Sequence, residues 1–142
     1  RLRFSEGDYL AAIEAYRRAA ELRPDIASMQ SNLGAALLAA SRHEDAVTPL
    51  ARAVALDPSL GIAELNLGLA LYRLDRLPEA ASHLDRAAVL EPGNAGVFLV
   101  RGMLRESAGW RDAAIADYRR VLEIDSRHDE AGERLRALSA PP

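Results

Sequence analysis

The sequence predicts an all-α protein built from stacked pairs of helices. One observation behind this prediction is an internal period of 34 residues, which indicates a repeat architecture. Alanine, for example, recurs every 34 residues at Ala12, Ala46, Ala80 and Ala114. The other is that apolar residues recur at spacings of three and four, as they do on amphipathic helices, whereas no stretch alternates like a β-strand.

The composition excludes several classes of function. With 49% hydrophobic and 27% charged residues in 142, the chain should bury a substantial core. A formal net charge of −3 argues against a nucleic-acid binder, which needs a basic face. No apolar run reaches the ~18 residues of a membrane span. Cysteine is absent, which excludes thiol chemistry and is compatible with a cytoplasmic or a periplasmic location.

The choice of basic residues indicates the kind of genome that encodes the chain. All 18 are arginine, and together with the abundant alanine this indicates a GC-rich bacterial genome. The absence of lysine excludes a Schiff base or a lysine phosphate clamp. The chain starts at Arg1 without an initiator methionine, so we expect it to be part of a longer protein.

The first 26 residues are predicted to form a partial repeat. Residues 1–6 can be the last turn of one helix, Gly7 and Asp8 a turn, and residues 9–22 the next helix. We expect a single domain over residues 1–142 that begins with this half unit.

Three complete repeats follow, each with two helices. The predicted repeats are 27–60, 61–94 and 95–128. Their first helices are predicted at 27–40, 61–74 and 95–108, and their second helices at 43–56, 77–90 and 111–124. The segment 129–140 is predicted to be a capping helix over 129–139 that covers the last repeat with Leu135 and Leu138.

Local signals mark where the helices should begin. Ser41 with Glu44 three residues later matches a capping box. Asp75 is predicted to cap the helix in which Pro78 occupies the first turn.

Prolines mark where the second helices should end. Leu-Asp-Pro at 56–58 and Leu-Glu-Pro at 90–92 end two of them, because the residue before a proline is pushed out of the helical region. Pro49 falls inside a second helix, where it should remove one hydrogen bond and bend the helix.

The helix pairs need small residues where they cross. The glycine at one register of the first helix leaves no side chain in the way, and the alanine at the matching register of the second does the same. We therefore expect close helix approaches at Gly34, Gly68 and Gly102 on the first helices and at Ala46, Ala80 and Ala114 on the second helices.

The pattern Asn-Leu-Gly…Ala…Leu…Ala…Leu-Asp-Pro at this period resembles the tetratricopeptide repeat over nearly the whole chain. The resemblance implies a right-handed α-solenoid whose first helices line a concave face that binds a peptide or a partner protein. The chain departs from the family pattern at the large aromatic of the first helix, which is Gln30 or Glu64 in two repeats and is matched only by Phe98.

The same resemblance indicates which residues face the groove. Asn32 and Asn66 are equivalent, and an amide can pair with a peptide backbone because it donates and accepts. The alternative is that each asparagine bonds within its own helix. The helix period adds a mainly apolar set, which suits an amphipathic helix or an apolar segment; part of this set can instead pack between repeats. Its members are Leu38, Leu65, Leu69, Tyr72, Leu99, Val100 and Met103, with Arg73 at one edge.

The carboxylate clamp of one subfamily, which holds the acidic C-termini of chaperones, is not expected here. It needs basic residues on the first helix of the following repeat. The corresponding positions are Ile62, Asn66, Gly96 and Val100, and none is basic.

Two arginines occupy a stripe that should face the core. Arg101 and Arg105 stand one turn apart, and an unpaired buried charge is unfavourable. We expect a structural ion pair with Asp117 or Glu123, or a contact with the ring of Tyr118; the alternative is an anion-binding spot.

The three histidines, His43, His83 and His128, lie in different units, so we expect surface side chains and no metal site. Trp110 lies in a tight turn, where it can be a local staple or an exposed anchor for a partner.

No catalytic constellation, phosphate loop or cofactor motif is present in the sequence. We therefore predict a non-catalytic protein-interaction scaffold without cofactor or metal, whose partner is a protein or peptide. One alternative is a self-assembly module that stacks through its terminal helices, where Ala12, Tyr16 and Ala19 can expose apolar surface. Another is the targeting arm of a larger enzyme.

Overall fold

In a computed structural model the described residues, 6–141, form eight α-helices and no β-strand. Short turns connect successive helices. None of these helices is both long and apolar enough to cross a membrane. The helices are α1 (Glu6–Leu22), α2 (Ala27–Ala39), α3 (His43–Leu56), α4 (Gly61–Arg73), α5 (Leu77–Leu90), α6 (Ala95–Ser107), α7 (Arg111–Ile124) and α8 (Asp129–Ser139).

The helices pack as consecutive pairs. The helices of each complete repeat, α2 with α3, α4 with α5, and α6 with α7, make the most extensive contacts. Each pair then packs on the next, with α1 against α2 and α8 against α7 at the two ends. The first helices also contact one another, α2 with α4 and α4 with α6, so they lie side by side. This is the all-α repeat solenoid that the sequence predicts.

The burial of side chains is uneven along the solenoid. Helix α4 lies in the middle and buries eight of its 13 residues. Helix α1 buries two of 17, and α8 buries one of 11. The core is therefore concentrated in the central repeats.

The predicted helix limits hold closely, with one correction at the start. Helices α3, α5, α7 and α8 have the predicted limits, and α2, α4 and α6 end one residue earlier. Helix α1 begins at Glu6, so the turn predicted at Gly7 and Asp8 is wrong. Glu6 and Asp8 place negative charge in the first turn of α1, where the helix dipole favours it. The sequence also predicts the last turn of a preceding helix over residues 1–6. Glu6 instead begins α1, and residues 1–5 lie outside the part of the chain that the structure describes.

The capping roles predicted for Ser41 and Asp75 are wrong. Both residues have positive φ values, 59° and 60°, and Gly109 at the third equivalent position has 81°. Each lies just after the C-terminus of a first helix in a Schellman motif. In the first repeat, for example, the Arg42 amide donates to the Leu37 carbonyl. The residue therefore ends one helix instead of starting the next, and the N-caps of α3 and α5 make no side-chain cap hydrogen bond.

Replacing Ser41 with glycine is expected to raise the free energy of unfolding by about 0.5–1 kcal/mol, because glycine adopts positive φ without steric strain. Urea unfolding followed by circular dichroism would measure the change. Ser41→Ala keeps the strain and is the control. A glycine variant no more stable than the alanine variant would contradict the assignment.

The helix limits predicted from the prolines are confirmed, whereas the bend expected at Pro49 remains a prediction. Pro78 lies in the first turn of α5, and α3 and α5 end at Leu56 and Leu90. Pro49 lies inside α3 and is buried.

The glycines on the first helices allow the close contacts. A Cβ atom at Gly68 would stand 2.7 Å from Cγ of Leu84, and one at Gly102 would stand 2.7 Å from Cε1 of Tyr118. Both facing side chains are fully buried, so neither crossing has room for a larger residue.

Candidate functional site

The candidate site is the surface formed by the three first helices, α2, α4 and α6. All ten predicted groove residues lie on these helices. Asn32 and Arg73 are exposed, and a second group is partly buried: Leu38, Asn66, Leu69, Tyr72 and Leu99. Leu65, Val100 and Met103 are buried, so they contribute mainly to packing. The surface is therefore a mixture of amides and half-exposed apolar side chains, and its role in binding remains a prediction.

The two asparagines keep their hydrogen-bonding capacity. Within residues 6–141, neither Asn32 nor Asn66 forms a side-chain hydrogen bond. The alternative that they bond within their own helices is therefore not what the structure shows. Each amide retains a carbonyl acceptor and two N–H donors for another molecule or water.

One edge of this surface is fixed by Tyr72. Its hydroxyl lies 3.4 Å from the Ser107 hydroxyl, which connects α4 to the end of α6. The guanidinium of Arg73 lies 5.9 Å from the centre of the Tyr72 ring. The exposed positive charge of Arg73 thus stands beside an aromatic ring on α4, and its place at the edge of a groove remains a prediction.

Arg101 and Arg105 form a structural ion cluster. Arg101 donates from Nη2 to Asp117 Oδ1 at 2.9 Å and from Nε to Oδ2 at 3.1 Å. Arg105 donates to the same Asp117 carboxylate at 3.0 Å, and Asp85 accepts from Arg101 at 3.2 Å. The expected ion pair is therefore present, with Asp117 as the partner. Both guanidinium groups are paired with carboxylates, which favours the structural ion pair over an anion-binding spot.

The charge of Arg101 is stabilised by this arrangement. Burial alone would lower the pKa of the guanidinium, but hydrogen bonds and attraction to Asp117 and Asp85 together raise it. A similar link joins α6 and α7, where the Tyr118 hydroxyl donates to Glu106 at 2.7 Å. Burial, then the hydrogen bond to Glu106 and the negative charge of that carboxylate, raise the pKa of Tyr118.

The structure adds a second buried charge that sequence reasoning did not assign. Glu64 is 1% exposed, and its carboxylate lies 2.6 Å from Nδ1 of His83 and 3.5 Å from Arg86. The available signal was the register: Glu64 occupies the place of Phe98, and His83 occupies the place of Asp117. A charged residue at a core position needs a hydrogen-bonding or oppositely charged partner on the facing helix.

The prediction of surface histidines is therefore wrong. All three are partly buried. His83 bonds Glu64, His128 accepts from the Ala131 amide at the start of α8, and His43 Nδ1 is buried without a partner. Within residues 6–141 no group of three histidine or acidic side chains is arranged to hold a metal ion. Trp110, which precedes α7, is 57% exposed.

The sequence matches the family model described as Tetratricopeptide repeat in three overlapping segments: residues 1–61, 50–95 and 65–129. Among curated proteins none matches the chain significantly.

Solved structures with the same fold include MamA, at 27% identity and a TM-score of 0.82 over 94% of this chain and 83% of that one. The first tetratricopeptide domain of Spaghetti (RPAP3), bound to the HSP90 peptide SRMEEVD, has 25% identity and a TM-score of 0.76 over 80% and 90%. YrrB, a protein with an unusual peptide-binding site, has 23% identity and a TM-score of 0.79 over 89% and 65%, and this likeness shows the fold alone.

Proposed function

Because this chain belongs to the tetratricopeptide repeat family, whose members are generally non-catalytic interaction modules, we propose that it is a scaffold that binds a partner polypeptide. The proposed site is the groove on α2, α4 and α6. The proposed ligand is an amphipathic helix or an apolar segment of the partner.

The observation that carries this proposal is the pair of unbonded amides. Asn32 and Asn66 are one repeat apart, on the adjacent helices α2 and α4. Half-exposed apolar side chains, such as Leu69 and Leu99, lie on the same helices as these amides or on the next one. The amides can fix a peptide backbone while the apolar residues bury its side chains. A packed solenoid loses little conformational entropy on binding, which favours affinity.

The proposed groove differs in charge from what the binding of an acidic peptide needs. RPAP3 has been solved with an acidic HSP90 peptide. In this chain the clamp positions are Ile62, Asn66, Gly96 and Val100, none of them basic. The only positive charge among the ten groove residues is Arg73 at the rim, so an apolar ligand fits better than an acidic tail.

The test is a lysate pull-down read by mass spectrometry. The variant Asn32→Ala, Asn66→Ala, Leu69→Glu is expected to weaken partner binding by at least about tenfold, because two polar contacts are lost and a charge enters the apolar surface. Val89→Glu is the control, since Val89 is 80% exposed on the second helix α5. Circular dichroism establishes that both variants keep their helices. An unchanged partner set in the groove variant would refute the groove model.

A second candidate function is self-assembly through α1. Leu22 is 80% exposed and Leu10 is 54% exposed on this helix, while Tyr16 also reaches the surface. Ala12 and Ala19 are partly buried. Such apolar exposure is suited to stacking against another helix. Sedimentation over a range of concentrations separates the two functions, because a rising mass would support stacking.

A further inference from the structure

A cavity of about 650 Å³ lies between α1, α2 and α3. Its walls combine apolar side chains, such as Leu33 and Pro49, with charged ones. None of its lining residues belongs to the predicted groove. Its volume is in the range of pockets that hold small ligands.

In the second repeat the side chains at the equivalent registers are paired with one another. There the buried carboxylate of Glu64 on α4 meets His83 and Arg86 on α5, at 2.6 Å and 3.5 Å. An arginine at this register of a second helix therefore holds a carboxylate.

The third repeat has different side chains at the same registers. The ring of Phe98 stands where Glu64 does, and the guanidinium of Arg120 lies 5.6 Å from its centre. Asp117 and Asp85 supply the negative charge and are bonded by Arg101. The charged groups at these registers are again paired within the chain.

In the first repeat these internal partners are missing. The equivalents of Glu64, His83 and Arg86 are Gln30, Pro49 and Arg52, so the arginine is present but the carboxylate is not. From α1, Arg17 takes the place that Asp85 has in the third repeat. Within residues 6–141, neither Arg17 nor Arg52 forms a hydrogen bond or an ion pair, and both line the cavity.

The wall of the cavity also holds an unsatisfied polar group. Gln30 is 2% exposed, its Nε2 donates to the Pro24 carbonyl at 3.4 Å, and its buried Oε1 has no partner. A buried acceptor without a donor is unfavourable. A carboxylate has no donor to offer it, so this oxygen calls for a water or an N–H group elsewhere on the ligand.

The remaining charges leave a positive excess. Arg42 and Asp45 pair with each other, with 2.8 Å between Nη2 and Oδ2. Glu21 is the other acidic side chain on the wall and opposes a bound anion. Three arginines therefore face two carboxylates, and the two arginines that remain unpaired are both available to an incoming group.

We propose that this cavity binds a carboxylate group of a ligand, held by Arg17 and Arg52 as Arg86 holds Glu64. The carboxylate can belong to an acidic side chain of a partner polypeptide or to a free small organic acid. Arginine–carboxylate hydrogen bonds are charge-assisted and stronger than neutral ones, which makes them sufficient to locate such a ligand.

The test uses the purified chain and isothermal titration calorimetry with two probes. The first is succinate, and the second is the blocked peptide acetyl-Glu-Gly-Glu-amide, whose only carboxylates are side chains. Arg17→Gln and Arg52→Gln are each expected to weaken binding by roughly tenfold. Arg18→Gln is the matched control, because Arg18 is the neighbouring arginine of α1 and pairs with Glu14 instead. Tighter binding of the peptide identifies a polypeptide source, and tighter binding of succinate a small acid.

A second variant tests the proposal by supplying the missing carboxylate from the chain itself. Gln30→Glu with Pro49→His copies the second repeat into the first and is expected to abolish binding of both probes while the unfolding midpoint is kept. Glu21→Gln is expected to strengthen binding, because it removes the opposing charge. The proposal is overturned if neither probe binds, if the Arg17 and Arg52 variants bind like Arg18→Gln, or if inorganic phosphate competes equally well.

Discussion

Replacing Asp117 with alanine is expected to lower the free energy of unfolding by about 3 kcal/mol, because it removes the shared partner of two partly buried arginines. The Asp117 side chain is 3% exposed, whereas Arg101 and Arg105 are 17% and 24% exposed. Their residual hydration and the remaining contact with Asp85 place the effect at the lower end for a broken buried pair. Urea unfolding of the variant and the parent chain would measure it.

Two further variants show whether the charge is the cause. Asp112→Ala lies on the same helix at a fully exposed side chain, and its effect is expected to stay within about 0.5 kcal/mol. Changing Arg101, Arg105 and Asp117 together to leucine is expected to be nearly neutral, because apolar replacement of a whole buried ion cluster leaves no uncompensated charge. A triple variant as unstable as Asp117→Ala would show that packing, not charge, dominates here.

Gly102→Ala is expected to destabilise the chain by about 1–2 kcal/mol, because overpacking outweighs the higher helix propensity of alanine. The added Cβ would stand 2.7 Å from Cε1 and 3.0 Å from Cδ1 of Tyr118. The ring is rigid and fully buried, and its hydroxyl is bonded to Glu106, so it cannot yield easily. The thermal unfolding midpoint gives the direction of the effect directly.

The matched control is the same substitution in another helix. Gly132 lies in α8, and a Cβ there meets only the end of the Arg136 side chain at 3.5 Å. Gly132→Ala is therefore expected to raise the free energy of unfolding by about 0.5–1 kcal/mol. If both variants shifted stability in the same direction, the close crossing at Gly102 would not be the reason.

The fold could be predicted in detail because the period repeats each local signal. The alanine and glycine registers fix the crossings, and most helix limits followed from them. The turns could not be read correctly because Ser41 and Asp75 are common N-cap residues that here adopt positive φ after a helix. Gly109 at the same register was the signal that the position belongs to a helix end.

The site could be predicted only in part. Helix periodicity placed the ten predicted groove residues on three adjacent helices, and their role in binding remains a prediction. It could not separate exposed Asn32 from buried Leu65, because this depends on how neighbouring repeats overlap. The sequence indicated an ion-pair partner for Arg101, because a charged side chain at a core-facing position needs an opposite charge. It did not reveal the cavity beside Arg52, which arises from residues that are missing by comparison with the other repeats.

The concentration of buried residues in α4 has a consequence for how the molecule opens. Local opening of a repeat protein is governed by the contacts of each unit with its neighbours. Helices α1 and α8, with few buried residues, should separate first, and the centre should remain ordered. Asn66 and Leu69 lie on that central helix. A ligand bound to α4 would contact a surface that stays folded while α1 and α8 unfold locally. Release of that ligand would not require the two end helices to unfold.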